Sequence, residues 1–360
     1  MSTDFSQRLL QWFDRHGRKD LPWQRSRDPY RIWVSEIMLQ QTQVNTVIPY
    51  YTRFLERFPD IATLARASQD EVLHRWTGLG YYARGRNLHK AAQIILQQYA
   101  GAFPTDIDSV CALPGIGRST AGAILAFAHG QRHAILDGNV KRVLTRYHGL
   151  AGWPGVRDVE TRLWQLAEQL TPTNRLQDYT QAIMDLGATV CRRRKPMCPG
   201  CPLVDTCTAH AEGNPQAYPT SKPRQTLPEK HVAMLMIRNH QGHVLLQQRP
   251  PVGVWGGLWG FPECATPDDT TRWCRDTLGL EVATDTPWPA LRHTFSHFHL
   301  HITPIPARVL GENGGGNGGT SGKIMEPAGV VWYNLSLPDE RGLAAPVKSL
   351  LEQLRAQRPV

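Results

Sequence analysis

Apolar residues recur three and four positions apart through SQRLLQWFDRHG, PYRIWVSEIMLQQTQV, DEVLHRWTGL, RNLHKAAQIILQQYAG and ETRLWQLAEQL. That period gathers each set on one face of a helix, and proline and glycine mark the joints, Gly17 closing the first helix. No strand-like alternation persists before residue 210, so this part reads as all-helical. The pattern then changes. Residues 214–229 are rich in proline and basic residues and read as an extended linker. Beyond them, HVAMLMIRNHQGHVLLQQRP reads as two strands around a turn at Asn239–Gly242. LRHTFSHFHLHITPIPARVL reads as a strand pair or one long strand, WCRDTLGL as the opening of a short helix, and KSLLEQLRAQ as a final helix. Residues 311–322, GENGGGNGGTSG, read as a low-complexity loop. The expected organisation is a helical domain over 1–213, a linker, and an α+β domain over 230–360.

A length of 360 residues suits that two-domain division. The formal net charge of +9 suggests a polyanionic partner, nucleic acid first. No apolar run is long enough to span a bilayer, and the N-terminal stretch lacks the unbroken apolar segment of a signal peptide. The expected compartment is the cytoplasm, with no membrane partner and a monomeric chain. Cytosolic thiols stay reduced, so clustered cysteines read as metal ligands rather than disulfides.

Four stretches carry candidate chemistry. In LPGIGRSTAGAIL, Gly115 and Gly117 permit a tight turn that aims backbone N–H groups at the start of the next helix, as phosphate binding requires. The alternative is a plain corner between helices. In ILDGNVKRVL, Asp137 precedes an amphipathic helix, where a simple N-cap is the competing role. In VSEIMLQQTQV, a helix begun at Asp28–Pro29 puts Glu36 beyond its first turn, beside Ile32, Trp33 and Leu39. A carboxyl on that stripe is desolvated and holds its proton near neutrality, which makes it a candidate general acid. In CRRRKPMCPGCPLVDTC, Cys191, Cys198, Cys201 and Cys207 follow C-x6-C-x2-C-x5-C and enclose Arg192, Arg193, Arg194 and Lys195. Four thiolates suit zinc or an iron–sulfur cluster.

Together these stretches cover most of residues 20–210 and resemble the helix-hairpin-helix, iron–sulfur DNA glycosylases of the endonuclease III superfamily. The resemblance implies a [4Fe–4S] cluster on the four cysteines, and a basic loop that touches DNA. The lyase branch has a nucleophilic lysine where this chain has Ser119, and it lacks the glutamate of SEIMLQQTQV. Both features, with TGLGYYARGRNLHKAA, resemble the adenine-excising MutY family, which acts on double-stranded DNA holding 8-oxoguanine·adenine or guanine·adenine mispairs. That likeness implies Glu36 as general acid and Asp137 as stabiliser of the sugar cation, with Asn139 and Ser119 close by. It implies an adenine pocket of Trp23, Leu39 and Gln181. It implies DNA contacts from Gln41, Tyr81, Tyr82, Gly115, Gly117 and Arg118 as well as the basic loop. VLLQQRP…GLWGFPE resembles the Nudix fold, but Trp273, Asp276 and Thr277 stand where its metal-binding glutamates belong. A Nudix relative converted to binding is implied, reading 8-oxoguanine through Phe295, Ser296 and His297. The rivals are an endonuclease-III-like lyase, a non-enzymatic DNA-binding protein stapled by metal, and a nucleotide pyrophosphohydrolase.

Overall fold

The computed structural model describes residues 2–223, 226–265, 269–310 and 329–357; the glycine-rich stretch 311–322 lies outside them. The chain divides into two compact units, Met1–Arg66 with Asn87–Arg224, and Ala67–Arg86 with Gln225–Val360.

The first unit is helical. In chain order it holds α1 (Ser2–His16), α2 (Pro29–Leu39), α3 (Val44–Arg57) and α4 (Ile61–Arg66). After α5 (Gln69–Trp76), which belongs to the second unit, come α6 (Ala83–Gln98), α7 (Ile107–Ala112) and α8 (Arg118–His129). Then follow α9 (Gly138–Tyr147), α10 (Arg157–Leu170), α11 (Leu176–Asp185) and the short α12 (Thr208–Ala211). The apolar stripes read from the sequence form one core: Phe5, Leu9 and Phe13 of α1 meet Val140, Val143 and Leu144 of α9. Leu163, Leu166 and Leu170 of α10 and Tyr179, Ala182 and Ile183 of α11 complete it. The Gly17 amide closes α1 on the Phe13 carbonyl at 2.9 Å. α2 packs on α8, and its Trp33, Val34, Ile37 and Met38 are buried.

The second unit is a mixed sheet with helices α13 (Thr270–Trp273) and α14 (Ala345–Ala356). Its centre is a parallel pair, β1 (Glu229–Arg238) and β7 (His299–Val309), in register from Glu229↔His299 to Arg238↔Arg308. Ala233, Leu235 and Ile237 face a cluster with Cys264, Cys274 and Val282, while the intervening Met234 and Met236 are buried too. Burial on both faces explains why β1 reads as a continuous apolar run. β2 (Val244–Gln248) follows a turn in which Asn239 Oδ1 accepts from the amides of Gln241 and His243, at 3.1 and 2.9 Å. β3 (Trp259–Gly260) and β8 (Val330–Tyr333) pair with β2, and β4 (Glu263–Cys264) pairs with β1. β5 (Val282–Thr284) and β6 (Leu291–Thr294) both run antiparallel to β7. LRHTFSHFHL is therefore a strand pair turning through Phe295–Phe298. α5 joins this unit through Asp70, whose Oδ1 accepts from Trp259 Nε1 at 3.0 Å.

Candidate active site

Local chemistry fixes the start of α2. The Asp28 carboxylate accepts from the Tyr30 amide at 2.9 Å and Pro29 occupies the first helical position, where its missing N–H costs nothing. Glu36 then falls on the half-buried edge of the stripe, between Ser35 and Ile37. It lines a cavity of about 920 Å³ and also a smaller lobe of about 250 Å³. Burial, and secondarily the charge of Asp137, pushes the Glu36 carboxyl up to about 8. At neutral pH it carries a proton.

The second carboxylate comes from the hairpin. The LPGIG turn runs between α7 and α8, with Gly115 at φ +80° and its would-be Cβ 2.9 Å from Asn87 Cβ, so the position needs glycine twice over. Gly115, Gly117 and Arg118 are exposed. Asp137 is the N-cap of α9, its Oδ1 accepting from the Val140 amide at 2.8 Å. Its Oδ2 accepts from Asn139 Nδ2 at 3.1 Å. Burial pushes its pKa up, and those two donors pull it back. N-cap and cavity wall are thus one residue, since capping engages Oδ1 while the carboxylate still lines the large cavity. Ser119 lines it too, and its Oγ accepts from the Leu136 amide at 2.9 Å, fixing the loop segment that leads into Asp137.

Arg18, Trp23, Glu36 and Gln181 line both the cavity and the smaller lobe; Leu39 and Asn139 line the cavity alone. Trp23 sits in a 3₁₀ turn, Pro22–Gln24, and packs edge-on to Tyr51 at 5.4 Å. Gln181 donates to Asp185 Oδ1 at 2.7 Å, and Asp185 also accepts from Arg18 through its amide and guanidinium at 2.6–2.9 Å. The buried Asp185 so fixes two sides of the lobe. Sequence reading missed Arg18 and Asp185, whose contact spans 167 positions; only the Gln181–Asp185 spacing of one helical turn was visible.

The four cysteines surround a separate small cavity with Arg146, Leu203 and Pro196. None of the four is in a disulfide, and burial pushes Cys198, Cys201 and Cys207 up, Cys201 to about 12. Among the described residues no three His, Cys, Asp or Glu side chains converge as a single-ion site. Two arginines missed in the sequence tie this loop to α9. The buried Arg146 donates to Cys191 Sγ at 3.3 Å and to the Arg192 carbonyl at 2.8 Å. Arg142 donates to the carbonyls of Cys191 at 2.7 Å and Gly187 at 2.6 Å, and to Asn139 Oδ1 at 2.8 Å. Gly187 lets these pieces meet, for a Cβ there would stand 2.6 Å from Asn139 Cβ. Arg192 and Arg193 reach the rim of the large cavity; Arg194 and Lys195 are exposed.

Gln41 is exposed with φ +59°, at the end of α2 on the cavity rim. Tyr81, in the second unit, is 54% exposed with φ +48°. A non-glycine residue in that conformation marks a held, displayed tip. Tyr82 differs from expectation. It is buried, and its hydroxyl donates to the Leu343 carbonyl at 3.1 Å, so it supports the second unit's interior rather than presenting a DNA contact. Ser296 and His297 are exposed in the β6–β7 turn, which the Phe295 amide closes on the Phe298 carbonyl at 2.9 Å.

Comparison with known proteins agrees with this geometry. Residues 34–169 match the HhH-GPD superfamily base excision DNA repair protein family, and 233–353 match the NUDIX domain. The helical unit is similar to a thermostable thymine-DNA glycosylase, with a TM-score of 0.54 and 29% identity, covering 59% of this chain and 97% of that one. An endonuclease III–DNA complex shares the fold at a TM-score of 0.50 and 22% identity, covering 58% and 94%. The adenine DNA glycosylase of Buchnera aphidicola from Acyrthosiphon pisum is 39% identical over 98% of this chain and 97% of its own length. The human adenine DNA glycosylase is 37% identical over 83% of this chain and 66% of its own. Likeness at that level along nearly the whole sequence, with a hairpin, a cavity and a Nudix-like sheet in their places, means that the chain belongs to the adenine DNA glycosylase family.

Proposed function

We propose that the protein hydrolyses the N-glycosidic bond of adenine paired with 8-oxoguanine or guanine in duplex DNA, without lyase activity. The observation that carries this reading is the pair of half-buried carboxyls on one cavity: Glu36, which keeps its proton to about 8, and Asp137, whose charge two donors support. Burial raises both groups, but only Asp137 has hydrogen-bond donors that support its charge, which assigns the acid to Glu36 and the carboxylate to Asp137.

The turn at Gly115–Gly117, Arg118 and the Arg192–Lys195 loop take the phosphates. Tyr81 and Gln41 enter the base stack. Adenine leaves the stack, at a cost of roughly a few kcal/mol that a mispair reduces, and lodges by Trp23, Leu39 and Gln181. Glu36 gives its proton to N7, and the electrons of the breaking C–N bond pass to the base. The sugar is left as an oxocarbenium ion facing the Asp137 carboxylate. Water then adds at the anomeric carbon and gives a proton to the Glu36 carboxylate, which restores the acid, following the logic of paired carboxylates in glycosidases. Ser119 offers no amine for a Schiff base, so the product is an intact strand with an abasic site. Phe295, Ser296 and His297 read the base opposite.

Cys191, Cys198, Cys201 and Cys207 hold a [4Fe–4S] cluster in this reading. Thiols ringing a cavity, with a guanidinium donating to one sulfur, suit a polynuclear cluster better than a single tetrahedral ion. When bound, the cluster supplies rigidity and charge to the basic loop, while bond cleavage stays with the carboxyls.

A single-turnover assay on a duplex with one 8-oxoguanine·adenine pair tests the proposal. Adenine release with strand scission only after alkali is expected. Scission without alkali would make the protein a lyase, and no release at all would leave a DNA-binding protein.

A further inference from the structure

The Nudix-like segment keeps Glu263 but lacks the carboxylates that should follow it, and Asp276 is paired with Arg272 at 3.5 Å. Glu263 has other work. It accepts from the Arg249 guanidinium, whose Nε donates to the Val254 carbonyl at 2.9 Å. The Arg249 backbone brackets the same turn, its amide donating to the Leu258 carbonyl at 2.8 Å and its carbonyl accepting from Gly257 at 3.2 Å. Inside that bracket stands Trp255, buried, at φ +53°. A large side chain keeps a left-handed backbone only where its surroundings over-determine it. Here they hold the indole against His293 at 5.3 Å and Phe295 at 5.2 Å. His293 meets Phe295 edge-on at 4.7 Å, Phe295 stacks on Phe298 at 4.6 Å, and His297 meets Phe298 at 4.7 Å.

We infer that Trp255 is a positioning residue for the Phe295–His297 turn, and that Glu263 anchors Trp255 through Arg249. This rests on the reading that Phe295, Ser296 and His297 inspect the base opposite adenine. A short turn with a single closing backbone bond and exposed Ser296 and His297 has little rigidity of its own. A rigid aromatic platform beneath Phe295 supplies it at low entropic cost. The effect falls on discrimination, since the platform touches neither adenine nor sugar.

The test is the ratio of single-turnover adenine release from 8-oxoguanine·adenine over guanine·adenine duplexes. It is measured in the full chain and in Trp255→Leu, Trp255→Phe, Glu263→Gln and the double variant Ser296→Ala/His297→Ala. The ratio should fall about tenfold in Trp255→Leu, about threefold in Glu263→Gln, and recover most of its value in Trp255→Phe. Glu263→Gln keeps the side chain's shape and answers the question even where loss of the indole prevents folding. A wild-type ratio in Glu263→Gln and in soluble Trp255→Leu, with the ratio lost in the double variant, overturns the positioning role alone. A wild-type ratio in the double variant overturns the reading of the turn itself, and the inference with it.

Discussion

Two glutamates, Glu36 of the helical unit and Glu263 of the sheet unit, meet opposite fates. In the helical unit Glu36 is desolvated, no ion pair to it is seen among the described residues, and the charge acting on it is that of another carboxylate, Asp137. In the sheet unit Glu229, Glu263 and Glu281 each pair with a guanidinium. Asp185 shows the intermediate case, fully buried yet paired with Arg18. An unpaired carboxyl in a cavity stores a proton that chemistry can use, whereas one bonded to arginine is fixed as an anion and serves shape. The Nudix-like segment illustrates the second course, since Glu263 pairs with Arg249.

The sharpest way to break this contrast is Glu36→Gln. The amide is nearly isosteric but cannot give a proton, so adenine release should fall about 10²- to 10⁴-fold while mispair binding is retained. Release near the wild-type rate would remove the acid from the mechanism. The matching change in the sheet unit, Glu263→Gln, leaves the acid in place, so its effect belongs to discrimination between opposite bases.

Much of this contrast was legible in the sequence, for a physical reason. Helical period alone places Glu36 beside Ile32, Trp33 and Leu39, and desolvation follows from that neighbourhood. Asp137 was legible only in part, since an N-cap and a cavity-lining carboxylate have the same sequence signature and here are one residue. Asp185 with Arg18, and Arg142 with the cysteine loop, were not legible. Both are long-range contacts that no local period encodes. The same limit hid the burial of Tyr82 and the packing of α5 with the sheet, where Asp70 meets Trp259 across 189 positions.

Arg142 offers a middle-sized test. It joins the Cys191 and Gly187 carbonyls to Asn139, which in turn donates to Asp137. Arg142→Met keeps the aliphatic stem and deletes those bonds. The single-turnover rate should fall about tenfold to a hundredfold, as expected when a positioned carboxylate loses its support. Binding to the mispair and iron content should hold. Loss of iron in step with activity would instead make Arg142 a residue of the cysteine loop alone.

The smallest expected effect separates burial from pairing by pH. The Glu36 carboxyl stands at about 8 in the folded chain against an ordinary 4.5, so the folded state binds the extra proton between those values. Stability therefore falls as pH rises through that window. Glu36→Gln has no such proton to lose. Its melting temperature relative to wild type should climb by a few degrees from pH 5 to pH 8 and level off above. Asp137, raised by the same burial, is present in both proteins and largely cancels in the difference. For Glu263, ion-paired with Arg249, the change to glutamine should lower stability instead. Parallel melting curves for wild type and Glu36→Gln across the window would mean that water or a mobile cation reaches Glu36. The distinction between a stored proton and a paired anion would then collapse at the residue on which the proposed chemistry depends.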